Sequence, residues 1–285
     1  MQTETIATHA FFSTRPPHRA ADTHAHAHPP VLETRWAANE DEVRDAQRLR
    51  FRVFAQEMGA HLTPPEGTPP GLDADRFDPF CDHLLVRAVD PVHGPGPLIG
   101  TYRVLTPDAA RRAGGFYTDT EFDLTPLTPL RAGALELGRS CVDAEWRSGS
   151  VIMALWTALG QYMVEHRLDT MIGCASIGME DHGLTAARLW HRLCRTHLVE
   201  QRWRVEPRIA LPLDTDAEAD ADSDTAPPAP PPLIKGYLRC GARLLGPPAL
   251  DVAFNTADLP MMLRVDDVAP RYRQHFFGAS FGVST

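Results

Sequence analysis

The sequence predicts a single mixed α/β layer domain, with a mixed central sheet flanked by helices. Three observations lead there. Helical and strand-like apolar patterns alternate along the chain, but two consecutive strand patterns are joined only by the short Pro/Gly turn at 91–97, so antiparallel pairs must mix with parallel ones. The 285 residues are 43% hydrophobic, enough for one large core. The chain also centres on one unit, GALELGRSCVDAEWRSGSVIMALW from Gly133 to Trp156, which reads as strand, tight polar turn and helix.

Composition narrows the function classes. No run of about 18 apolar residues is present, so no membrane span is expected. The first thirty residues lack the basic start and apolar stretch of a signal peptide, which points to the cytoplasm. Five cysteines, widely spaced and without CxxC, argue against a disulfide framework or a zinc site. The run His24-Ala-His26-Ala-His28 has no carboxylate or Cys beside it and reads as polar tail, so no metal is expected. Six acids between Asp214 and Asp224 account for most of the −9 net charge; setting them aside leaves −3. There is no basic stripe interleaved with aromatics, which excludes a nucleic-acid partner.

The elements follow in order. Residues 1–30 form a disordered tail. Val31–Ala38 is a first strand. Asn39 caps a helix, with Glu42 in capping-box position, that carries Val43, Ala46, Leu49, Val53 and Phe54 and ends near Gly59. Its Arg44, Arg48, Arg50 and Arg52 read mostly as a solvated face, with one or two turned to a partner. His61–Gly71 is a Pro/Gly loop and 73–83 an acidic one. His83–Val89 and Leu98–Leu105 form a hairpin, the second strand carrying Arg103 where an unpaired Arg is rare. A short helix at Asp108–Ala113 precedes a Pro-broken loop. After the central unit come a strand at Thr170–Ile177, a helix at Gly183–Cys194 and a strand pair near Trp203–Leu211. The acidic, Pro-rich segment 214–232 is a disordered insert. Ile234–Leu245 then reads as a strand, Val252–Val265 as a mixed segment, and 278–285 as a second tail. The domain thus spans 31–277.

In the central unit, Ala134–Val142 interleaves Leu135, Leu137, Cys141 and Val142 with Glu136, Arg139 and Ser140. Charges in such a run need partners or a task. The helix from Ser150 has the stripe Val151, Ile152, Leu155, Trp156, Leu159 and Met163. The turn Arg147-Ser148-Gly149-Ser150 is either an ordinary connection or an anion site, where free helix N–H groups and Arg147 meet a phosphate.

These stretches resemble a known family. The segments RLRFRVFAQEMGA (48–60), FCDHLLV (80–86), LIGTYRVLTP (98–107), LELGRSCVDAEWRSGSVIMALW (135–156) and PPLIKGYLRCGARLLGPPALDVAFNTADLPMMLRV (231–265) are similar to the bacterial ornithine N-acyltransferases of ornithine-lipid synthesis, within the GCN5-related N-acyltransferase (GNAT) superfamily. The likeness covers roughly 33–277 and implies a GNAT-like fold. A second likeness, to acyl-homoserine-lactone synthases, rests on Arg50 with Phe54, Asp75/Asp78, Arg103 and Glu136-Leu-Gly-Arg139; the long C-terminal match disfavours it. A non-catalytic acyl-binding protein on the same fold is the alternative from another class.

The resemblance implies transfer of a (3-hydroxy)fatty acyl group from acyl carrier protein to the α-amine of L-ornithine, giving lyso-ornithine lipid. No resident cofactor is implied; the carrier's phosphopantetheine thioester is a co-substrate. The superfamily's coenzyme A loop is reduced here to Arg147-Ser148-Gly149-Ser150, which suits the single phosphodiester of phosphopantetheine better than a pyrophosphate. On this reading Glu136 accepts the amine proton, backbone N–H groups near Arg139, Ser140 and Cys141 hold the oxyanion if the strand is splayed or bulged there, and Arg139 and Arg103 take the acceptor carboxylate. Either arginine would alternatively be a structural partner of Glu136. Asp75, Asp78 and Asp82 would bind ornithine's side-chain ammonium. Trp156, Phe116, Phe122 and Met261-Met262-Leu263 would line an acyl channel or simply pack the core. Arg147, Arg202, Arg204 and Arg208 would meet the acidic carrier. The tail Arg271–Phe277 would either rest peripherally on the inner face of the membrane or close the core with Phe276 and Phe277.

Overall fold

The computed structural model describes residues 31–90, 92–147, 149–213 and 229–278. The tail 1–30, nearly all of the insert at 214–232 and residues 279–285 lie outside the described residues, as does Ser148.

Ten strands are described: β1 (Val31–Trp36), β2 (Asp82–Asp90), β3 (Gly94–Leu105), β4 (Phe122–Asp123), β5 (Ala134–Val142), β6 (Thr170–Gly178), β7 (Glu206–Pro207), β8 (Arg243–Leu244), β9 (Ala249–Asp251) and β10 (Thr256–Arg264). Eight form one sheet in the order β1-β2-β3-β5-β6-β10-β8, with β9 also on β10. Only β5 and β6 pair in parallel, so the sheet is mixed, as the sequence predicts.

Helix α1 (Glu40–Phe51) starts as read from the sequence: the Asn39 side chain accepts from the Glu42 N–H at 3.1 Å, and Glu42 accepts from the Ala38 N–H at 2.8 Å. Its last turns, Arg52–Glu57, widen into a π-helix. Helix α2 (Pro107–Ala113) lies between a Thr106 cap and Gly114. Helix α3 (Ser150–Glu165) buries Val151, Leu155, Leu159 and Met163, the apolar stripe of the sequence. Helix α4 (Leu184–His197) follows Gly183.

Strand side chains alternate between two faces. Leu84, Val86, Tyr102, Val104 and Leu135 pack under α3, while Leu85 and Cys141 pack under Ala46, Leu49 and Phe54 of α1. The sheet is therefore covered on both faces.

Two expectations need correction, and one pair of alternatives resolves in favour of the core. Ile234–Leu245 is not a strand: Pro232–Cys240 is helix α5, started by Pro at its first position and stopped by Gly241 at φ +112°, and only Arg243–Leu244 is extended. Gly236 lies inside α5 at a close approach to α3, where a Cβ would come within 2.5 Å of the Trp156 ring. The strand pair near Trp203–Leu211 reduces to the two residues of β7 and an isolated bridge. Finally, Arg271–Phe277 belongs to helix α6 (Pro270–Phe277), whose Phe276 and Phe277 are buried against α3, so those rings are not available to a membrane surface. No described helix is long and apolar enough to cross a membrane.

Gly160 makes the α3–α6 contact possible, since a Cβ there would lie 2.2 Å from the Phe276 carbonyl oxygen. In an open helix Gly→Ala stabilises by roughly 1 kcal/mol. Here Gly160→Ala should instead destabilise by about 1–3 kcal/mol. An unchanged or raised urea midpoint would contradict the packing.

Candidate active site

The site grows out of one irregularity in the middle of the sheet. β5 and β6 pair only at Ala134–Thr170, Leu135–Met171 and Glu136–Ile172. Beyond that point the two strands part. Gly173 lies where they do, close enough to β5 that a Cβ would come within 2.4 Å of the Leu137 carbonyl oxygen.

On its other edge β5 carries one residue too many. Cys141 opposes Thr101 and Gly138 opposes Arg103, so three steps on β5 face two on β3, a β-bulge. Arg139 occupies it at φ +50°, a left-handed conformation that costs a non-glycine residue energy. The extra residue reverses the alternation: Leu135 and Leu137 lie on the α3 face, whereas Cys141 lies on the α1 face. Arg139 is thereby delivered to the side occupied by Arg103.

Two cavities flank the parting. One is apolar, about 730 Å³ including its mouth, and is bounded by α3, α5, α6 and the sheet through Trp156, Leu159, Met171, Met261, Phe276 and neighbours. The other is polar, about 850 Å³ on the same measure, and has Arg103, Tyr117, Glu136, Arg139, Ser140 and Asp258 in its wall. Tyr102, Leu137, Cys174, Ala175 and Tyr237 belong to both, so the two meet at the gap between β5 and β6.

Behind the polar cavity lies a buried ion network of three arginines and three aspartates. Arg50, fully buried, donates from Nε to Asp73 at 2.8 Å and from Nη1 and Nη2 to the two Asp78 oxygens at 2.9 Å. Arg103 donates to Asp75 at 2.7 Å and to Asp78 at 3.3 Å. Arg139 donates to Asp75 at 3.1 Å and lies between the rings of Tyr117 and Phe254, at 5.0 and 4.5 Å. Burial opposes ionisation of Asp78, yet the charge and hydrogen bonds of Arg50 hold its carboxyl well below the ordinary range. His83, also buried, faces Asp78 at 3.6 Å; desolvation and the Arg50 charge hold it down at about 4.

Comparison with known proteins gives the family. An acetyltransferase (GNAT) domain profile matches residues 49–157. The L-ornithine N(alpha)-acyltransferase of Agrobacterium fabrum is 39% identical over 260 residues, covering 87% of this chain and 86% of that protein. The chain belongs to the L-ornithine N(alpha)-acyltransferase family. The Rhizobium meliloti member is 36% identical, covering 88% of this chain and 86% of its own. Among solved structures, the AHL synthase LasI aligns with a TM-score of 0.50 at 11% identity, covering 90% of this chain and all of that one, which shows a shared fold.

The residues read from the sequence fall in several separate places in this family member. Glu136, Arg139, Ser140 and Arg103 line the polar cavity together. Cys141 does not; its thiol is buried under α1. Asp75 and Asp78 adjoin the cavity but are neutralised by arginines, so neither presents an unspent charge to an ammonium. Asp82 lies apart, accepting from the Tyr162 hydroxyl at 2.5 Å. At the far end of β5, Gly149 at φ +87° is the N-cap of α3 and has no side chain to cap it. Arg147 there is ion-paired with Glu57 and donates from Nε to the Val142 carbonyl at 3.1 Å, so it braces the turn instead of standing open to an anion. Trp156 and Met261-Met262-Leu263 line the apolar cavity, but Phe116 and Phe122 pack in the core beside α2.

Glu136 also differs from its expected role as base. Its oxygens accept from the Tyr117 N–H at 2.6 Å, the Thr118 N–H at 2.7 Å and the Thr118 hydroxyl at 2.6 Å. Burial pushes its carboxyl above the ordinary range while those donors pull it back. These bonds make it the anchor of the 117–118 turn that forms one cavity wall.

Sequence reasoning passed over three further acids of this cavity region: Glu121, Asp251 and Asp258. Asp258, 4% exposed, accepts from the Thr256 hydroxyl at 2.9 Å. Burial and neighbouring Asp251 raise its carboxyl to about 6. Burial and Asp258 push Glu121 up to about 9. The alternation of Thr256-Ala-Asp258 in an apolar strand was the available signal.

Two measurements check these assignments. Glu136→Gln keeps the shape but turns an amide toward a backbone donor, and should cost about 1–3 kcal/mol of stability; a fully stable variant that loses only turnover would restore Glu136 as base. His83 has a folded value near 4 against about 6.5 unfolded, so the unfolded chain binds more protons between them. Stability is therefore lost as pH falls through that window, by about 2 kcal/mol from pH 7 to pH 5. His83→Gln should flatten that slope in urea titrations; an identical slope would remove His83 as its source.

Proposed function

We propose that this chain transfers a long-chain acyl group from the phosphopantetheine thioester of acyl carrier protein to the α-amine of L-ornithine. The observation that carries the reading, beside the family, is the parting of β5 from β6 with an apolar cavity on one side and a polar one on the other. A thioester laid in the gap puts its acyl chain among Trp156, Met171, Met261 and Phe276 and its carbonyl beside the unpaired edge of β5. The Tyr102 and Tyr237 hydroxyls, 2.5 Å apart, stand at the neck.

The chemistry asks for little covalent help. The neutral α-amine attacks the thioester carbon, and a C–N bond forms. The carbonyl electrons collapse onto oxygen, where N–H groups of the bulged strand near Arg139 and Ser140 stabilise the oxyanion. The C–S bond then breaks, the nitrogen gives up its proton, and the thiolate leaves and takes one. Arg139, held between two rings, receives the acceptor carboxylate, so positioning supplies much of the rate. The first turn of α3, which follows Gly149, suits the single phosphodiester of the carrier's arm.

The product, an N-acyl ornithine, is read most directly from lipids. Cells producing this protein should accumulate an ion of acyl-ornithine mass, and purified protein should acylate ornithine faster from acyl carrier protein than from coenzyme A thioesters. Absence of any N-acyl amino acid with ample carrier present would sink the proposal; preference for coenzyme A would replace the donor only.

A further inference from the structure

The polar cavity is charged unevenly. Its arginines are matched by the aspartates of the network, whereas Glu121, Asp251 and Asp258 have no cation within ion-pair distance among the described residues. A ligand atom from each of Glu121, Cys174 and Asp258 falls within 4.8 Å of the others, and Asp258 and Cys174 are in the cavity wall. Both Glu121 carboxyl oxygens are shut off from solvent, and their neighbours, the Tyr117 phenol, the Cys174 thiol and the Asp258 carboxyl, do not reach ordinary hydrogen-bond geometry. A buried carboxylate in that condition is costly unless something donates to it. Asp251 spends one oxygen on the Ala253 and Phe254 N–H groups, in the turn that carries Phe254 against Arg139.

The cluster and Arg139 face one space. Arg139, Asp251 and Asp258 all line the polar cavity, and the buried Tyr117 phenol feels the charge of each of them and of Glu121. A molecule in this cavity therefore meets both a guanidinium and carboxylates, next to the gap between β5 and β6. Those are the charges that answer an amino acid whose side chain ends in an ammonium.

We propose that Asp258 and Glu121 form the pocket for the acceptor's side-chain ammonium, and so determine that a dibasic amino acid is acylated and that its α-amine faces the thioester. This rests on acyl transfer to an amino acid in the same cavity, and it replaces Asp75, Asp78 and Asp82 in that role. An ammonium gives Glu121 a donor of ordinary geometry, adds one to Asp258 beside Thr256 and favours the ionised form of both, while its own amine stays protonated and unreactive. A divalent cation would call on the same three ligand atoms, and the chelation arm of the test separates the two.

The test compares ornithine with norvaline, which has the same carbon skeleton and no side-chain ammonium. The native protein should favour ornithine in kcat/KM by roughly 10²-fold or more. Asp258→Asn should lower that ratio at least about tenfold, mainly through the KM for ornithine, and Glu121→Gln should move it in the same direction. Melting curves establish that each variant is folded; where one is not, the other carries the test. An unchanged ratio, including equal loss on both acceptors, would overturn the proposal and place the acids in the chemical step or the fold. Loss of native activity in EDTA, restored by a divalent cation, would overturn it in favour of a metal. Calorimetric binding of ornithine and norvaline needs no turnover. A protein that makes no product yet binds ornithine selectively through Asp258 would refute the transfer and keep the pocket, while product formation without acceptor selectivity would do the reverse.

Discussion

The parting of β5 from β6 after three paired positions is the constraint on which the rest of this molecule depends. A sheet that continued in register would close its own middle with backbone hydrogen bonds and leave no room for a substrate. Two devices keep it open: Gly173 brings the strands as close as backbone allows at the branch point, and the bulge at Gly138–Arg139 turns β5 away beyond it. The parting also leaves polar backbone on the edge of β5, which has to be satisfied by water or substrate. An edge that would be a liability elsewhere becomes a place where a developing oxyanion can be received.

The bulge would be unfavourable without the network behind it. Arg139 sits in a left-handed conformation that its guanidinium's partners hold in place, namely Asp75, Tyr117 and Phe254. Asp75 is itself shared with Arg103, and Asp78 joins Arg103 to Arg50 on α1. The network thus ties the loop after α1, the hairpin and the central strand to one another. Such an assembly adds little net stability over an apolar core of the same volume, but removing one member strands a buried charge and costs about 3–5 kcal/mol. Its value here is geometric, since it fixes where an exceptional backbone conformation can persist. Glu136 serves the same end from the neighbouring wall, with three donors locking the turn that carries Tyr117.

Much of the fold was legible because it follows from local pattern. The hairpin, the Asn39 cap, the stripe of α3 and the parallel step from β5 through α3 to β6 each leave a period or a capping residue in the chain. The failures also have local causes. In 234–245, Gly236 and Gly241 are compatible with a strand as well as a helix; one is a packing position under Trp156 and the other a helix stop, and only contact with α3 distinguishes them. At Arg271–Phe277 a basic, aromatic composition suited a membrane surface as well as a core, and the burial of Phe276 and Phe277 decided between them. The break of alternation between Leu137 and Cys141, next to Gly138, was a readable sign of the bulge.

The sequence by itself determined the mixed α/β class, the central strand–turn–helix unit, the family and the cavity membership of Glu136, Arg139, Ser140 and Arg103. It also singled out Asp75 and Asp78 as important. What only the tertiary structure decided was which charge answers which. Asp75 lies 28 residues from Arg103 and 64 from Arg139, and Arg147 lies 90 from Glu57. At such separations an ion pair leaves no periodic trace, because its energy depends on distance and burial after folding and not on spacing along the chain. For the same reason a carboxylate that neutralises an arginine and one that awaits a ligand look alike in sequence. Asp78 and Asp258 became different residues only when the fold placed Arg50 beside the first and a cavity beside the second.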